Sequence, residues 1–407
     1  MQLSKPIYDK WQAGPILCLL AFIMALPSFE MPKMLFLWLF IGFASVAIWK
    51  NRDQYRWQVD DTLLVIWMLS GGVVALFAGI HSNEWLGAKG NAILILFLLV
   101  LKQVSLSEKL RKTIGLTVLC STLFAAGEGL WQLYVSKQQA QLELHSVGHV
   151  NHSAIYLGLS FALALAMTLT LSEFDSLKTK CFVVFCLLFS AACVILSNSR
   201  ATILTMAVIA VSYGLMWLKR RKWPLFILTF SILIASAGLY FEKAQVVQKH
   251  IQQTSQGPFL GERQAIWNTS LLAWRQFPLF GVGIRNFGQI SEDLQSKWRE
   301  KDGNVMMEDQ FVRTSHPHNF YLLLLAEQGL FGLLITLSVL ARIGFLLYKN
   351  RPVATDSDGY WWGWLAAFGA IQVILINGLL NTTLHHEHGL LALLLIGLWW
   401  ANLAQRA

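Results

Sequence analysis

Apolar residues along the chain are grouped into long runs, and polar residues are concentrated in the segments between them. A helix that crosses a membrane needs about 20 mostly apolar residues. The pattern therefore predicts an all-α, polytopic membrane protein with about twelve transmembrane helices. The predicted spans are 13–29, 34–49, 62–80, 86–101, 113–135, 153–171, 181–197, 201–217, 224–241, 319–348, 360–378 and 389–404.

The tenth run, 319–348, is longer than a membrane span requires. At about 1.5 Å per residue it would extend for about 45 Å as a helix. The hydrocarbon core of a bilayer is only about 30 Å thick. We therefore expect this helix to project beyond the membrane at its start or to break near Gly329.

The composition supports a membrane protein. Hydrophobic residues make up 55% of the 407 residues and charged residues 14%, with a mean hydropathy of +0.51. Soluble domains contain about 25% charged residues, so a soluble globular protein is disfavoured, and a disordered chain is excluded. All five cysteines lie in apolar stretches, and we interpret them as packing residues rather than disulfide or zinc ligands.

The formal net charge of +9 follows the predicted topology, so it gives no support to nucleic-acid binding. Lysine and arginine are concentrated in the connections on the N-terminal side, including the basic run at 219–222. The positive-inside rule places that side in the cytoplasm, with both termini. No cleavage site follows the first run, which we interpret as an anchor and not a signal peptide. The short outer connections hold four cations: Lys33, Lys89, Lys137 and Arg200.

One outer connection, residues 242–318, is much longer than the others. Its nine cations and eight carboxylates leave its net charge near zero, and loops of this length usually carry function. Three regions are therefore predicted. They are 1–241 with nine transmembrane helices, 242–318 as a periplasmic loop with an amphipathic helix, and 319–407 with three more transmembrane helices.

The strongest local signal is the segment 315–322, Ser-His-Pro-His-Asn-Phe-Tyr-Leu, where the loop enters the tenth span. We expect Ser315 or Thr314 to cap the helix and Pro317 to lie in its first turn. His318 would then lie in that turn, where the helix dipole disfavours imidazolium. A neutral imidazole there suits a general base, and a histidine that caps the helix and packs against headgroups is the alternative.

Three arginines on the outer side are candidates for binding an anion, because a guanidinium matches the geometry of a phosphate. Arg200 lies between the seventh and eighth spans. Arg263 lies one turn before Trp267, on an amphipathic helix predicted over 262–277. Arg285 follows two glycines whose spacing predicts a tight turn and not a dinucleotide fingerprint. Interfacial anchoring or an ordinary polar-face position is the alternative for each.

Other polar groups leave further hypotheses open. His385, His386 and His388 lie in a short outer connection and, with His316 and His318, would be a zinc site, although adjacent histidines lack a convincing ligand spacing. Glu128 lies inside the fifth span and either handles protons or packs as a hydrogen-bonded carboxyl. Near the outer end of the sixth span lie His145, His149, Asn151 and His152.

The order of these pieces resembles the O-antigen ligase/polymerase superfamily of integral-membrane enzymes. The resemblance covers about residues 195–335 and implies a helical fold like that of other polyprenyl-glycan glycosyltransferases. It also implies a multi-pass protein of the bacterial inner membrane with its active site facing the periplasm. The matching pieces are Ser197-Asn198-Ser199-Arg200, Arg263 with Trp267, Pro278-Leu279-Phe280-Gly281-Val282-Gly283, and His316-Pro317-His318-Asn319-Phe320-Tyr321-Leu322 continuing to Glu327-Gln328-Gly329-Leu330-Phe331-Gly332.

Within the superfamily, the size and the single large loop resemble an O-antigen ligase. Such an enzyme transfers a glycan from undecaprenyl diphosphate to a sugar hydroxyl of lipid A–core in lipopolysaccharide biosynthesis. The resemblance implies His318 as general base and Arg200 and Arg263 as the clamp on the leaving diphosphate. It implies no cofactor and no metal, and displacement by a single nucleophile would invert the anomeric carbon. His316, Arg285 and Asn319 are second-tier candidates.

Three alternatives remain open at this point. An O-antigen polymerase or a protein O-oligosaccharyltransferase would use the same donor and a different acceptor. A transporter of lipid-linked sugar would use Glu128 and Arg200 as a polar pathway, but it would not need a large outer loop that ends in a histidine motif. A non-catalytic scaffold is the third.

Overall fold

The structure is a computed structural model that describes residues 13–52, 57–173, 175–217, 261–301 and 313–404. All regular secondary structure in these residues is helical, which confirms the all-α fold class. There is a 3-10 turn at Phe287–Gln289 and a π-helical turn at Val373–Asn377, directly after the helix that ends at Gln372. The helices are α1 (Ala13–Ala25), α2 (Glu30–Lys50), α3 (Val59–Leu76), α4 (Glu84–Gln103), α5 (Glu108–Tyr134), α6 (Val150–Leu169), α7 (Leu177–Leu196), α8 (Arg200–Trp217), α9 (Gly261–Gln276), α10 (Glu292–Lys301), α11 (Phe320–Lys349), α12 (Asp358–Gln372) and α13 (His386–Ala404).

Within the described residues, nine helices are long and apolar enough to cross a membrane: α2 to α8, α11, and α12 with its π turn. Helix α1 is shorter, at 13 residues. The predicted span 224–241, the basic run 219–222 and the domain boundary at 241 lie outside the described residues. The protein is thus multi-pass, while the total of twelve spans and the extent of the large loop stay predictions.

Helix α6 is the centre of the bundle. It is apolar around its whole circumference and buried along its length, as expected for a helix surrounded by other helices. It packs against α5, α7, α8, α12 and α13. The peripheral helices expose large apolar side chains, such as Trp38, Leu69 and Phe124, on the surface that lipid would cover.

The connections meet in two groups, one at each end of the bundle. At one end, Lys102 Nζ lies 2.7 Å from Asp61 Oδ1. At the other end, which we call the outer end, buried Lys33 forms an ion pair with Glu387, which lies 354 positions later in the sequence. The sequence predicts these two groups on opposite sides of the membrane, so their separation agrees with the alternating topology. The side that each end faces stays a prediction.

Helix α11 is broken at Gly329, which confirms the expectation drawn from its length. Gly329 has φ 62° and ψ −166°, a conformation that is essentially restricted to glycine. A break inside a spanning helix is tolerated where other protein groups satisfy the freed backbone. The turn at 278–283 does this with four backbone hydrogen bonds: Val282 to Ala326 (2.8 Å), Gly283 to Glu327 (2.9 Å), Leu330 to Pro278 (2.9 Å) and Phe331 to Leu279 (3.0 Å).

We expect Gly329→Ala to destabilise the protein. A non-glycine residue in this conformation costs about 1–3 kcal/mol, and the new Cβ would overlap the backbone of Leu279 and Phe280. Gly344→Ala in the same helix is the matched control, because nothing lies within 4 Å of its Cβ position. Thermal unfolding in detergent should show a lower midpoint for Gly329→Ala only. Equal midpoints for the two variants would contradict this account of the break.

Candidate active site at the outer end

The His316–His318 segment precedes α11 and is not part of its first turn. Helix α11 begins at Phe320, and Asn319 is its N-cap: its Oδ1 accepts a hydrogen bond from Leu322 N at 3.0 Å. The sequence predictions of a Ser315 or Thr314 cap, and of Pro317 and His318 inside the first turn, are therefore wrong. Asparagine is among the strongest N-caps, so the helix starts directly after it.

His318 is held in a left-handed backbone conformation, with φ 49°. This conformation raises the free energy of a non-glycine residue, so it persists only where neighbouring contacts hold the backbone in place. Three contacts on the flanking residues come from two elements, α9 and the segment that follows α12. Trp267 Nε1 on α9 donates to Pro317 O at 3.1 Å, Asn319 Nδ2 donates to Leu379 O at 3.0 Å, and Phe320 N donates to Gly378 O at 2.8 Å. Asn319 is thus a positioning residue for the segment.

The structure also supplies a cause for a neutral His318. Burial lowers the pKa of His318 below its ordinary value, and the positive charge of Arg263 lowers that pKa further, with a smaller contribution from His149. Arg263 is half-buried on α9, whose bounds confirm the predicted amphipathic helix. Desolvation and the neighbouring guanidinium, rather than the helix dipole expected from the sequence, therefore lower the pKa of His318.

Seven of the ten histidines of the chain meet at the outer end. Their rings come from the start of α6, from the segment before α11, and from the start of α13 with His385 directly before it. The ring centroids of His316 and His318 lie 4.4 Å apart, and those of His152 and His316 lie 5.7 Å apart. We call this group the histidine cluster; it consists of His149, His152, His316, His318, His385, His386 and His388.

The zinc hypothesis gains no support from this geometry. Among the described residues, no group of three or more His, Cys, Asp or Glu side chains is arranged to hold a metal ion. His385 and His388 do lie close together, with ring centroids 4.7 Å apart.

Arg200 is the first residue of α8, and its side chain is exposed. A buried chain of hydrogen bonds joins its turn to the residues that follow α12. Ser199 Oγ and Thr202 Oγ1 lie 3.0 Å apart, Asn377 Nδ2 donates to Thr202 Oγ1 at 2.8 Å, and Asn381 Nδ2 donates to Asn377 Oδ1 at 2.8 Å. The chain places Arg200 at the outer end, while in the described residues its guanidinium has no recorded contact with His318 or Arg263.

Arg285 lies on the segment that follows the 278–283 turn. Its side chain is exposed and its backbone is left-handed, with φ 70°. The neighbouring Asn286 is fully buried, and Phe287 N donates to the carboxyl of Glu327 in α11 at 3.1 Å. Arg285 and Lys33 lower the pKa of His386 in addition to desolvation, whereas Glu387 raises it. Arg285 is therefore close enough to the histidine cluster to act on His386.

Two features of the site are not apparent from the sequence. Lys33, one of the four predicted outer cations, is 4% exposed and donates to Ser146 Oγ at 2.7 Å as well as to Glu387. Asn377 lies inside a predicted span, where a polar residue is a signal worth following. The Lys33–Glu387 pairing had no such signal, because the two residues are distant in the sequence.

Glu128, the other polar residue inside a span, does not join the site. It is half-buried on α5, and its carboxylate accepts a long hydrogen bond of 3.4 Å from Gln132 Nε2, one turn along the same helix. His145 is exposed and lies outside the histidine cluster. The arrangement favours the packing interpretation of Glu128 over a proton pathway.

Residues 185–337 match the model of a protein family described as O-antigen ligase. The match confirms the resemblance drawn from the sequence motifs. It includes His316, His318 and all three candidate arginines, whereas the histidines of α6 and of the α12–α13 connection lie outside it. No curated protein matches the chain. The chain is thus similar to O-antigen ligases over residues 185–337, and its described residues include nine helices that could cross a membrane.

Proposed function

We propose that this protein is an O-antigen ligase, a glycosyltransferase that moves a glycan from undecaprenyl diphosphate to a sugar hydroxyl of lipid A–core. The observation that carries the proposal is that α9 packs on the His318 segment inside the family match: Trp267, one turn after Arg263, donates to Pro317 O at 3.1 Å, and the charge of Arg263 lowers the pKa of His318. A neutral, half-buried imidazole beside a guanidinium provides a base and an anion-binding group at one place. Inverting glycosyl transfer from a diphosphate needs both.

In the proposed reaction His318 takes the proton from the acceptor hydroxyl as its oxygen attacks the anomeric carbon. A bond forms between that oxygen and the anomeric carbon, and the bond from this carbon to the diphosphate oxygen breaks. The diphosphate leaves with the electron pair, and the single displacement inverts the anomeric configuration. Arg263 and Arg200 stabilise the negative charge that develops on the leaving group. We propose the reaction to be independent of metal and cofactor, because these guanidiniums supply the positive charge.

The proposed setting is the bacterial inner membrane, with the outer end in the periplasm. The lipid tail of the donor would lie along the apolar surface of the peripheral helices, and its diphosphate would reach Arg263 at the end of the bundle. Membrane lipids and the two glycolipid substrates are the proposed partners, and nucleic acid is not among them.

A direct assay distinguishes this proposal from the related polymerase and protein O-oligosaccharyltransferase activities. Purified protein is incubated with a polyprenyl-diphosphate glycan and one of three acceptors: lipid A–core, a pilin-like protein or free glycan. We expect product with lipid A–core. Product only with glycan or only with protein would instead identify a polymerase or a protein O-oligosaccharyltransferase, which share the donor site.

The same assay separates an enzyme from a transporter. Glycosyl transfer involves only the two substrates, so product should form in detergent solution without ATP or an ion gradient. A protein that binds the donor but forms no product with any of the three acceptors would contradict the enzymatic proposal.

The proposed orientation can be tested by labelling single cysteines in a cysteine-free background. We expect a membrane-impermeant thiol reagent added from the periplasm to label positions 264 and 386, whose side chains are exposed at the outer end. Position 220, in the basic run, should be labelled only after the membrane is permeabilised. Labelling of position 220 in intact cells would overturn the orientation.

A further inference from the structure

Buried polar atoms without a hydrogen-bond partner are concentrated at the base of the histidine cluster. Among the described residues they include His152 Nε2, His316 Nε2, Asn381 Oδ1 and Thr382 Oγ1. Neither ring nitrogen of His388 makes a hydrogen bond of good geometry, although the backbone of Thr382 lies close to it. His152 is 8% exposed and His388 is 1% exposed. Native proteins rarely bury so many polar atoms without giving them a role.

The rings of the cluster form a continuous path from the catalytic position to solvent. Successive ring centroids lie 4.4 Å apart from His318 to His316 and 5.7 Å apart from His316 to His152. The path continues for 4.7 Å from His152 to His385 and for 4.4 Å from His385 to His386. His386 is exposed. Single water molecules can bridge rings at separations of this size.

The interior of this path is too enclosed for a sugar. The unpartnered atoms of His152 and His388 have almost no accessible surface, so an acceptor glycan cannot reach them. A neutral imidazole accepts a proton on one nitrogen and donates one from the other, and burial keeps the interior rings neutral. Burial lowers the pKa of His316 to about 4 and, with His388 and His386, lowers the pKa of His385 well below its ordinary value.

We propose that His318, His316, His152, His385 and His386 are a proton relay that discharges the base after each transfer. The inference rests on the proposed function, because the proton is the one that His318 takes from the acceptor hydroxyl. That proton passes from ring to ring and is released to water at His386, with no change in oxidation state. The need for it is physical: donor and acceptor together exclude water from His318, so the proton has to leave on the opposite side of the cluster.

The first test measures turnover in small diffusible buffers at constant pH and ionic strength. In wild type, kcat should not depend on the buffer concentration. In His152→Ala and His386→Ala, kcat should fall by about 10- to 100-fold, less than the loss of the base itself. It should then rise as the imidazole buffer concentration is increased, since the buffer replaces the missing ring. His386→Ala alters an exposed residue, so its result does not depend on the folding of a buried variant.

His81→Ala is the matched control, because His81 is exposed and contacts Glu84 outside the cluster. It should keep both the wild-type kcat and its independence of buffer. A lower kcat in the two relay variants without buffer rescue would show a structural role and overturn the relay. Wild-type kcat in both variants would do the same. Stoichiometric zinc that is present in the wild type and absent from His388→Ala would also overturn it.

A second readout does not require transfer activity. In protein labelled with ¹⁵N-histidine and saturated with a polyprenyl diphosphate, the exchange of the His318 ring proton with water is measured by NMR. We expect rapid exchange in wild type and slower exchange in His152→Ala and His386→Ala. Equal exchange rates would overturn the relay. Absence of glycan transfer by the wild type, with exchange rates that differ as expected, would instead contradict the proposed function alone.

Discussion

His318→Ala should abolish nearly all glycosyl transfer while leaving the fold and donor binding intact. A positioned general base contributes about 10²–10⁴-fold to a rate, and no other histidine of the cluster receives the charge of Arg263 as directly. The measurement is kcat with saturating donor and lipid A–core, beside an equilibrium binding assay for the donor. Retained donor binding separates the loss of the base from misfolding.

His316→Ala is the comparison variant for this prediction. His316 Nδ1 lies 2.7 Å from Ser315 Oγ, and its Nε2 is buried. Its removal should therefore cost less than the removal of His318. An active His318→Ala beside an inactive His316→Ala would reverse the assignment of the base.

The pH profile checks the same assignment. The proposed active form of His318 is neutral, so activity should fall as pH drops through its folded pKa. Burial, the Arg263 guanidinium and His149 all lower that pKa. The acid limb should therefore lie below the ordinary histidine value near 6.5. An acid limb above that value would argue against His318 in this environment.

Arg263→Ala should be the second most damaging substitution. Removing one preorganised donor from a developing oxyanion costs about 10²–10³-fold in kcat, and Arg263 lies beside the base on the half-buried face of α9. Arg263→Lys should restore only part of the rate, because an ammonium cannot bind a phosphate through two parallel hydrogen bonds. We also expect Arg200→Ala to reduce kcat severely, as the second member of the clamp.

Arg275→Ala provides the control on the same helix, because Arg275 is an exposed arginine in the last turn of α9. It should keep wild-type kcat. If Arg263→Ala or Arg200→Ala is well expressed and fully active, that arginine is an interfacial anchor. The clamp would then consist of the other arginine alone, and Arg285 would be the next residue to test.

The fold class and most helix positions follow from local sequence, because a membrane-spanning helix satisfies its own backbone and needs only a long apolar run. The same argument located the break at Gly329. Motif order likewise indicated the resemblance that the family match confirms, and it made His318 and Arg263 candidate site residues. Local sequence was less reliable at the helix start, where two cap candidates and a proline preceded the residue that caps the helix, Asn319.

The tertiary structure decided what these local elements do together. It inserted the 278–283 turn into the break of α11, paired Lys33 with Glu387, and brought rings from three distant segments into the histidine cluster. Each arrangement depends on contacts between segments that are more than 40 positions apart in the chain, and apolar periodicity carries no information about such partners. The sequence alone therefore determined the helices and the chemistry available, whereas packing determined which histidines and arginines share one site.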